Sequence, residues 1–392
     1  MMKINKLSID GIGPIRKLDL EFDAHFNIIC GQNGVGKTTI LDCLAQSFSF
    51  DTITVKKTVG HEIGKWSLDY SVDGQQLAKT FTDSLFHPHE NQSGRQGHHD
   101  VSRSVIVFKT HRDIPYHPLA SLTKDPEKKD YQFANDTVRG VSSANIKNWF
   151  VMRHLWSAHE NQLDHNQIRN LNVAKESFYM INPSISFSRV DPASHEILLN
   201  SPKGDIYFEY LSSGYKSCLA VLIGLIQEIE FRHKFPTVCI NDFDGLVIID
   251  ELDLHLHPEW QAKIYQALKQ ILPKAQIFTT THSPHIIQVA EPCEIIPLTF
   301  DENNEVVLNK IPNKKYGFQG WTVEEILTDV MGMEETRTDF YLSKIKEFNQ
   351  SIENEDFEKS RECFHVIDSM LHPQNVLRKV LKIQIAGEGQ ND

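Results

Sequence analysis

The sequence lacks the patterns that would indicate a secreted, zinc-binding or membrane protein. Its six cysteines are scattered and form no C-x-x-C pair, which is typical of reduced thiols and argues against disulfides or a zinc site. No apolar run approaches the length of a membrane-spanning helix, and the first residues lack a signal-peptide core. We therefore expect a cytoplasmic protein that does not insert into a membrane.

Positive charge is also scarce. The chain has 40 lysines and arginines against 52 aspartates and glutamates, which gives its 392 residues a net charge of −12. This balance argues against a surface coated for nucleic acid, although it leaves room for a local basic groove. Heptad repeats long enough for a coiled-coil arm are missing, and internal repeats are not evident. The remaining composition is that of an ordinary globular protein.

One stretch near the N-terminus carries a specific motif. Residues 31–39 are Gly-Gln-Asn-Gly-Val-Gly-Lys-Thr-Thr, which fits the phosphate-loop pattern G-x-x-x-x-G-K-[ST]. The apolar run 26–30 predicts a buried strand before the loop, and apolar residues at helical spacing predict a helix after it. A glycine-rich turn before an ordinary helix is the alternative. Strand, loop and helix in this order favour a nucleoside triphosphate site.

The loop supplies each kind of group that binds a triphosphate. Its glycines let the backbone curl so that N–H groups point at phosphate oxygens, and the helix N-terminus adds partial positive charge. Lys37 can reach the β- and γ-phosphates, and the Thr38 hydroxyl can ligate Mg²⁺. The predicted nucleotide-binding residues are Gly31, Gln32, Asn33, Gly34, Val35, Gly36, Lys37, Thr38 and Thr39.

Two further patterns place polar groups at strand ends. The apolar run 246–249 closes on Asp250 and Glu251, so a buried strand would hold two carboxylates at one edge of a sheet. We interpret Asp250 as an Mg²⁺ ligand acting through water and Glu251 as the group that polarises the attacking water. His282 ends the next predicted strand and is a candidate to contact the γ-phosphate or that water. Acid pairs often end strands, and a lone histidine is more often structural. We therefore infer these roles from the order of the motifs along the sequence and not from each motif alone.

The order of these motifs resembles the ABC-type ATPase heads of SMC, RecF and OLD-like proteins. The phosphate loop is followed by Leu-Ser-Ser-Gly at 211–214, then by the acid pair and the strand-end histidine, and the resemblance covers residues 1 to about 310. It implies that Ser212, Ser213 and Gly214 form the signature motif, which contacts the γ-phosphate bound to the opposite subunit. The heads of a homodimer, or of a higher even oligomer, would thereby enclose ATP and Mg²⁺.

Two positions depart from that family pattern, and a third feature of it cannot be placed. Tyr215 stands where the family usually has Gln or Glu, and His257 stands where its D-loop usually has Asp. The glutamine of the family's Q-loop cannot be placed, although 109–112 lie roughly where it should follow a strand. The resemblance therefore implies ATP binding more directly than it implies communication between the two nucleotide sites of a dimer.

The segment 316–333 resembles a segment of bacterial ATPases in anti-phage systems. Similar chains are the ATPase subunits of Septu-type and retron-linked defence, and that resemblance implies an HNH-type nuclease as partner. Val323, Ile326, Leu327 and Val330 also fit an amphipathic helix that packs on the head. Both interpretations can hold together.

The predicted architecture is an α/β P-loop NTPase of the ABC-ATPase head type with an antiparallel side sheet. We expect a discontinuous head at 1–83 and 184–312, a loop and helical insertion at 84–183, and a C-terminal helical tail at 313–392. Apolar spacing predicts tail helices at 323–330, 337–350, 356–371 and 375–385.

Three functional classes fit these motifs. The resemblance implies an ATP-hydrolysing subunit whose nucleotide-driven head dimerisation controls a partner nuclease in anti-phage defence. The alternative is a RecF- or SMC-like repair ATPase that binds DNA directly, which would favour a basic groove, and only small basic concentrations occur, at 124–129 and 310–315. A transporter subunit is disfavoured by the long insertion and the tail. Because no metal-nuclease motif follows residue 310, we expect no nuclease activity of the chain itself.

Overall fold

A computed structural model of the chain describes residues 1–50, 54–90, 97–112, 114–119, 121–311 and 315–388. The chain divides into two compact units, Met1–Met333 and Glu334–Asp392. The larger unit is built on β-sheets. Its strands are β1 (Met2–Ile12), β2 (Ile15–Glu21), β3 (Phe26–Gly31), β4 (Gly64–Val72), β5 (Gln75–Asp83), β6 (Val105–Phe108), β7 (Ser186–Val190), β8 (Ile197–Ser201), β9 (Gly204–Tyr207), β10 (Leu246–Ile249), β11 (Gln276–Thr280), β12 (Ile295–Phe300) and β13 (Val306–Leu308).

Helices connect and cover these strands. In the larger unit they are α1 (Lys37–Gln46), α2 (Asp130–Arg139), α3 (Ile146–Trp156), α4 (His165–Ile181), α5 (Ser213–Arg232), α6 (Pro258–Ile271), α7 (Pro284–Val289) and α8 (Val323–Glu325), which continues as a π-helical turn at Ile326–Val330. The smaller unit contains α9 (Asp339–Glu353), α10 (Phe357–Met370) and α11 (Leu377–Glu388). Among the described residues, no helix combines the length and the hydropathy needed to cross a membrane.

The central sheet of the larger unit has the strand order β13-β12-β3-β11-β10-β6. All neighbours pair in parallel except β13, which runs antiparallel at one edge. In β3, Phe26, Ile28 and Cys30 belong to one hydrophobic cluster, and Ile29, between Ile28 and Cys30, belongs to a second. Because successive side chains of a strand point to opposite faces, this sheet is buried on both sides, which requires the continuous apolar runs seen in the sequence.

The predicted side sheet is also present. It is a four-stranded antiparallel sheet in the order β2-β1-β4-β5, and a smaller antiparallel sheet has the order β7-β8-β9. Apolar residues of β1 join the same cluster as α1, so the side sheet covers the helix that follows the phosphate loop. The predicted fold class, an α/β P-loop NTPase of the ABC-ATPase head type with an antiparallel side sheet, is therefore confirmed.

The predicted division into head, insertion and tail stays a prediction, and the structure adds two facts about it. First, β6 lies inside the range 84–183 expected to be an insertion, yet it pairs with β10 in the central sheet. Second, Ile326 and Val330 are buried in the same cluster as the central helices, and the larger unit ends only after Met333. Apolar contact with the head explains both, since each segment lacks a separate core.

The smaller unit is a set of helices with its own hydrophobic cluster. Phe348 of α9 and Ile367 of α10 are fully buried in it, and Leu381 of α11 packs against them. Thr338 accepts a hydrogen bond from the Tyr341 backbone N–H and thereby caps α9. These helices lie where the spacing of apolar residues predicts them.

We expect Phe348→Ala to lower the free energy of unfolding of the smaller unit by about 3–5 kcal/mol, because it leaves a cavity in a small cluster. The matched control is Phe340→Ala on the same helix, since Phe340 is 58% exposed and its loss should cost about 0.5 kcal/mol or less. Hydrogen exchange of the backbone amides of α9 to α11 in the full chain measures both. Equal effects of the two substitutions would contradict this packing.

Candidate nucleotide-binding and hydrolysis site

Three neighbouring parallel strands bring the predicted site residues to one edge of the central sheet. The strand β11 pairs with β3 on one side and with β10 on the other, so the carboxyl ends of all three meet. The phosphate loop follows β3, the acid pair follows β10, and His282 follows β11. A cavity of about 470 Å³ opens at this edge. It is lined by Pro14, Asn33, Gly34, Gly36, Lys37, Thr38, Thr39, Glu251, Thr280 and His282.

Two glycines of the loop are required for different reasons. Gly31 has φ 141°, and a Cβ there would lie 2.2 Å from the carbonyl oxygen of Leu298 in the neighbouring strand β12. Gly34 has φ 86° and no heavy atom within 4 Å of the position of a Cβ, so its backbone is open to a ligand. The loop therefore has the exposed backbone that phosphate binding needs.

Lys37 lies at the first position of α1, and its ammonium is held by the loop itself. Its Nζ donates to the carbonyl oxygens of Gly31 at 2.9 Å and Gln32 at 2.8 Å. Burial lowers the pKa of Lys37, and the carboxylates of Glu251 and Asp250 oppose that shift. The Gln32 side chain donates to the carbonyl of Gly332, so the loop also contacts the end of the larger unit.

A threonine that the sequence analysis did not select connects the acid pair to β11. The Thr280 hydroxyl donates to Asp250 Oδ1 at 2.6 Å and accepts from the Glu251 backbone N–H at 2.6 Å. The Thr38 hydroxyl lies 3.2 Å from both carboxylate oxygens of Asp250. This set of oxygens is the type that Mg²⁺ prefers, so Thr38 and Asp250 could hold the ion. The only signal for Thr280 was its place at the end of a strand beside the acid pair.

Glu251 has a left-handed backbone, with φ 50°, which is uncommon for a residue other than glycine. Its N–H donates to Thr280, as described, and its carbonyl accepts from the guanidinium of Arg112. Arg112 is 4% exposed, and burial lowers its pKa. It belongs to the range 109–112, where the Q-loop glutamine could not be placed. Hydrogen bonds on both sides thus hold the strained residue whose carboxylate lines the cavity.

His282 is held by an acid that sequence reasoning also missed. Asp253 Oδ1 accepts from the Thr281 hydroxyl at 2.6 Å and from the His282 backbone N–H at 3.1 Å. Burial, followed by the nearby Lys37 ammonium, lowers the pKa of His282, so the imidazole is neutral at neutral pH. The signal for Asp253 was a third acid two positions after Glu251, which the motif pattern does not include.

The predicted signature residues begin α5 and do not line the cavity of their own chain, as far as the described residues show. Ser212 and Ser213 are exposed, and the Ser212 hydroxyl accepts from the Tyr215 N–H at 3.3 Å, which caps the helix. Gly214 is buried, and a Cβ there would lie 2.3 Å from the carbonyl oxygen of His255. The signature segment therefore packs directly on the loop that follows Glu251.

Both departures from the family pattern have structural roles. The buried Tyr215 hydroxyl donates to the Phe178 carbonyl at 2.5 Å, and the Tyr215 ring lies 5.4 Å from that of Trp260. It thus joins α5 to α4 and α6 in the core. His257 precedes α6, and its Nδ1 accepts from the Glu259 N–H at 3.4 Å.

A phosphate loop after one parallel strand, an acid pair after a second and a serine-rich helix start together define an ABC-type ATPase head. Two family models match the chain accordingly. The model described as "AAA domain" matches residues 6–181, and that described as "AAA domain, putative AbiEii toxin, Type IV TA system" matches residues 133–288.

A close relative narrows the class. The Septu protein PtuA of Bacillus thuringiensis is 44% identical over 401 aligned residues, which cover 100% of this chain and 99% of that protein. This chain belongs to the Septu PtuA family. The "Retron Vc95 probable ATPase" of Vibrio cholerae serotype O1 biovar El Tor is 22% identical over 66% of each chain. These similarities confirm the resemblance to the ATPases of Septu-type and retron-linked anti-phage defence.

Among solved structures, the SMC head domain from Thermotoga maritima aligns with 79% of this chain and 100% of its own, at 14% identity and a TM-score of 0.44. A TM-score of 0.44 is too low to support the fold assignment. The fold assignment depends instead on the strand order, on the phosphate loop and on the PtuA relative.

We expect Thr280→Val to lower kcat for ATP hydrolysis by about 10- to 100-fold, because it removes the hydroxyl that orients Asp250 and the backbone of Glu251. Thr280→Ser keeps the hydroxyl and should retain most of the activity. Phosphate release at saturating ATP and Mg²⁺ measures both variants. Wild-type turnover in the valine variant, or equal losses in both, would show that this hydroxyl does not position the site.

Proposed function

We propose that this chain binds ATP with Mg²⁺ and hydrolyses it, and that nucleotide-driven pairing of its heads controls a partner nuclease in anti-phage defence. The observation that carries the proposal is that Lys37, Thr38, Glu251 and His282, from distant parts of the sequence, line one cavity. Asp250 lies beside it, 3.2 Å from the Thr38 hydroxyl. Membership of the Septu PtuA family supports the defence role.

The loop and its lysine would bind the phosphates. The open backbone at Gly34 and the N-terminus of α1 present N–H groups and partial positive charge, and the Lys37 ammonium lies at the same end of the helix. Thr38 and Asp250 would provide oxygen ligands for the ion. When bound, Mg²⁺ neutralises phosphate charge, while ATP supplies the phosphoryl group that passes to water.

Glu251 would accept the proton of the attacking water. A general base must be held in one place, and the backbone of this residue is held by the hydrogen bond that its N–H donates to Thr280 and by the one that its carbonyl accepts from Arg112. His282 would contact the γ-phosphate or the attacking water, and Asp253 fixes the start of its turn. The lowered pKa of His282 keeps its imidazole neutral, so that the ring both donates and accepts one hydrogen bond.

Head pairing is supported by the position of the signature residues. Ser212 and Ser213 are exposed at the start of α5, outside the cavity of their own chain, and are therefore accessible to the phosphates bound by another copy. ATP that contacts both copies binds the closed pair better than the separated heads, so it shifts the equilibrium toward closure. The assembly proposed is therefore a homodimer or a higher even oligomer.

The paired cations of the chain give little support to direct DNA binding, which is the alternative to an HNH-type nuclease as partner. The buried or partly buried cations Lys128, Lys147, Arg153 and Arg232 are each paired with carboxylates of this chain. Cations neutralised in this way contribute little to phosphate binding on DNA. No group of three or more potential ligands for a nuclease metal occurs among the described His, Cys, Asp and Glu residues.

Head closure can be tested with cysteines at Ser213 and Asn33, both exposed, in a Glu251→Gln background that retains ATP. Cys293 is the exposed native cysteine among the described residues and is replaced by serine. We expect a bismaleimide to join two copies when ATP and Mg²⁺ are present, and not after addition of EDTA. The Ser212→Arg variant should not cross-link, because the large side chain blocks the interface. Cross-linking of equal yield without ATP would contradict the closed pair.

The nuclease assignment predicts that the purified chain leaves plasmid DNA intact with ATP and Mg²⁺, and that cleavage requires the proposed HNH-type partner. Lys37→Ala, which removes the ammonium at the phosphates, should change cleavage by the complex as well as ATP turnover. Gel analysis of plasmid supercoiling measures this. Metal-dependent cleavage by this chain alone that survives Lys37→Ala would refute the assignment.

A further inference from the structure

A second cavity, of about 370 Å³, lies beside the residues that lead into the signature segment. It shares no lining residue with the nucleotide cavity in the described parts of the chain. Tyr207 ends β9, and Tyr210 lies two residues before Ser212. The cavity is lined by Tyr116, Glu196, Tyr207, Glu209 and Tyr210.

The three aromatic rings are unusually accessible for large side chains. Tyr116 is 62% exposed, Tyr207 37% and Tyr210 77%. The rings of Tyr207 and Tyr210 meet edge to face, with centroids 5.7 Å apart. The Tyr116 ring already has the Lys147 ammonium 5.1 Å from its centroid. The cavity thus presents aromatic surface of the kind that attracts cations.

Two carboxylates lie beneath these rings. Lys147 Nζ lies 2.5 Å from a carboxylate oxygen of Glu196 and 2.6 Å from one of Glu209. A second ammonium, that of Lys216, donates to the backbone carbonyl of Glu209 at 3.4 Å. The second carboxylate oxygen of Glu209 is buried and has no hydrogen-bond partner. This oxygen can accept a hydrogen bond from a positively charged donor, and the two carboxylates disfavour the phosphates of a nucleic acid strand.

We propose that this cavity binds an arginine side chain of a partner protein. A guanidinium stacks on aromatic rings and pairs with carboxylates, and its planar form matches both kinds of lining residue. The cavity is larger than a single ammonium needs and has room for the guanidinium with part of its stem. The arginine would fix the partner beside the exposed serines at the start of α5. This proposed arginine site does not depend on whether the partner is the proposed nuclease.

The test uses the full chain labelled with 3-fluorotyrosine and observed by ¹⁹F NMR. Substituting Tyr116, Tyr207 and Tyr210 in turn by phenylalanine assigns their signals. The probe is Nα-acetyl-arginine methylamide, and the control is the citrulline analogue, which has nearly the same shape without the charge. We expect saturable shifts of the Tyr207 and Tyr210 signals with the arginine probe and about tenfold weaker binding of the citrulline probe.

Variants then separate the site from general surface effects. Tyr210→Leu and Glu196→Gln should each weaken binding of the arginine probe about two- to fivefold. Tyr179→Leu is the matched control, because Tyr179 is 57% exposed and does not line the cavity. Near-ultraviolet circular dichroism checks that each variant is folded.

Three outcomes would overturn the proposal. These are equal binding of the citrulline probe, unchanged affinity in Tyr210→Leu, and the absence of any saturable shift with arginine. Shifts of the same signals by single-stranded oligothymidylate, without shifts by the arginine probe, would assign the rings to base stacking instead.

Discussion

The pairing of β11 between β3 and β10 is the constraint on which the site depends. These strands carry the phosphate loop, the acid pair and the histidine turn, and the chain between the first and the last is more than half of the sequence. Both faces of the sheet are buried, so a shift of one residue in register would move every side chain to the opposite cluster, where the packing does not fit it. Core packing therefore also fixes the distances between the groups of the candidate site.

The same constraint explains which site residues could be predicted. Lys37 and the glycines belong to a local pattern whose spacing is imposed by phosphate chemistry, so the sequence alone identifies them. Asp250, Glu251 and His282 could be selected because each follows an apolar run that forms a buried strand. Their roles in catalysis stay predictions, although Glu251 and His282 line one cavity and Asp250 contacts Thr38 beside it.

Thr280, Arg112 and Asp253 could not be found in this way. Each acts through one hydrogen bond or a pair of them, made to a backbone or side-chain group on another segment. Such contacts depend on strand register and on loop conformation, and threonine, arginine and aspartate are common at strand ends for many reasons. The sequence also could not explain why Tyr215 stands where the family usually has Gln or Glu. The contacts of Tyr215 lie in the core between helices, and only the fold reveals them.

The direct backbone contact at Gly214 has a consequence for how movement spreads through the head. Its backbone touches the carbonyl of His255 with no side chain between them, since a Cβ would lie 2.3 Å from that oxygen. Side chains absorb small displacements by changing rotamer, but two backbones in contact cannot. A displacement of the exposed end of α5 would therefore displace the loop that begins at Glu251. A ligand that displaces Ser212 and Ser213 would therefore also move the backbone of His255, which belongs to the same loop as Glu251.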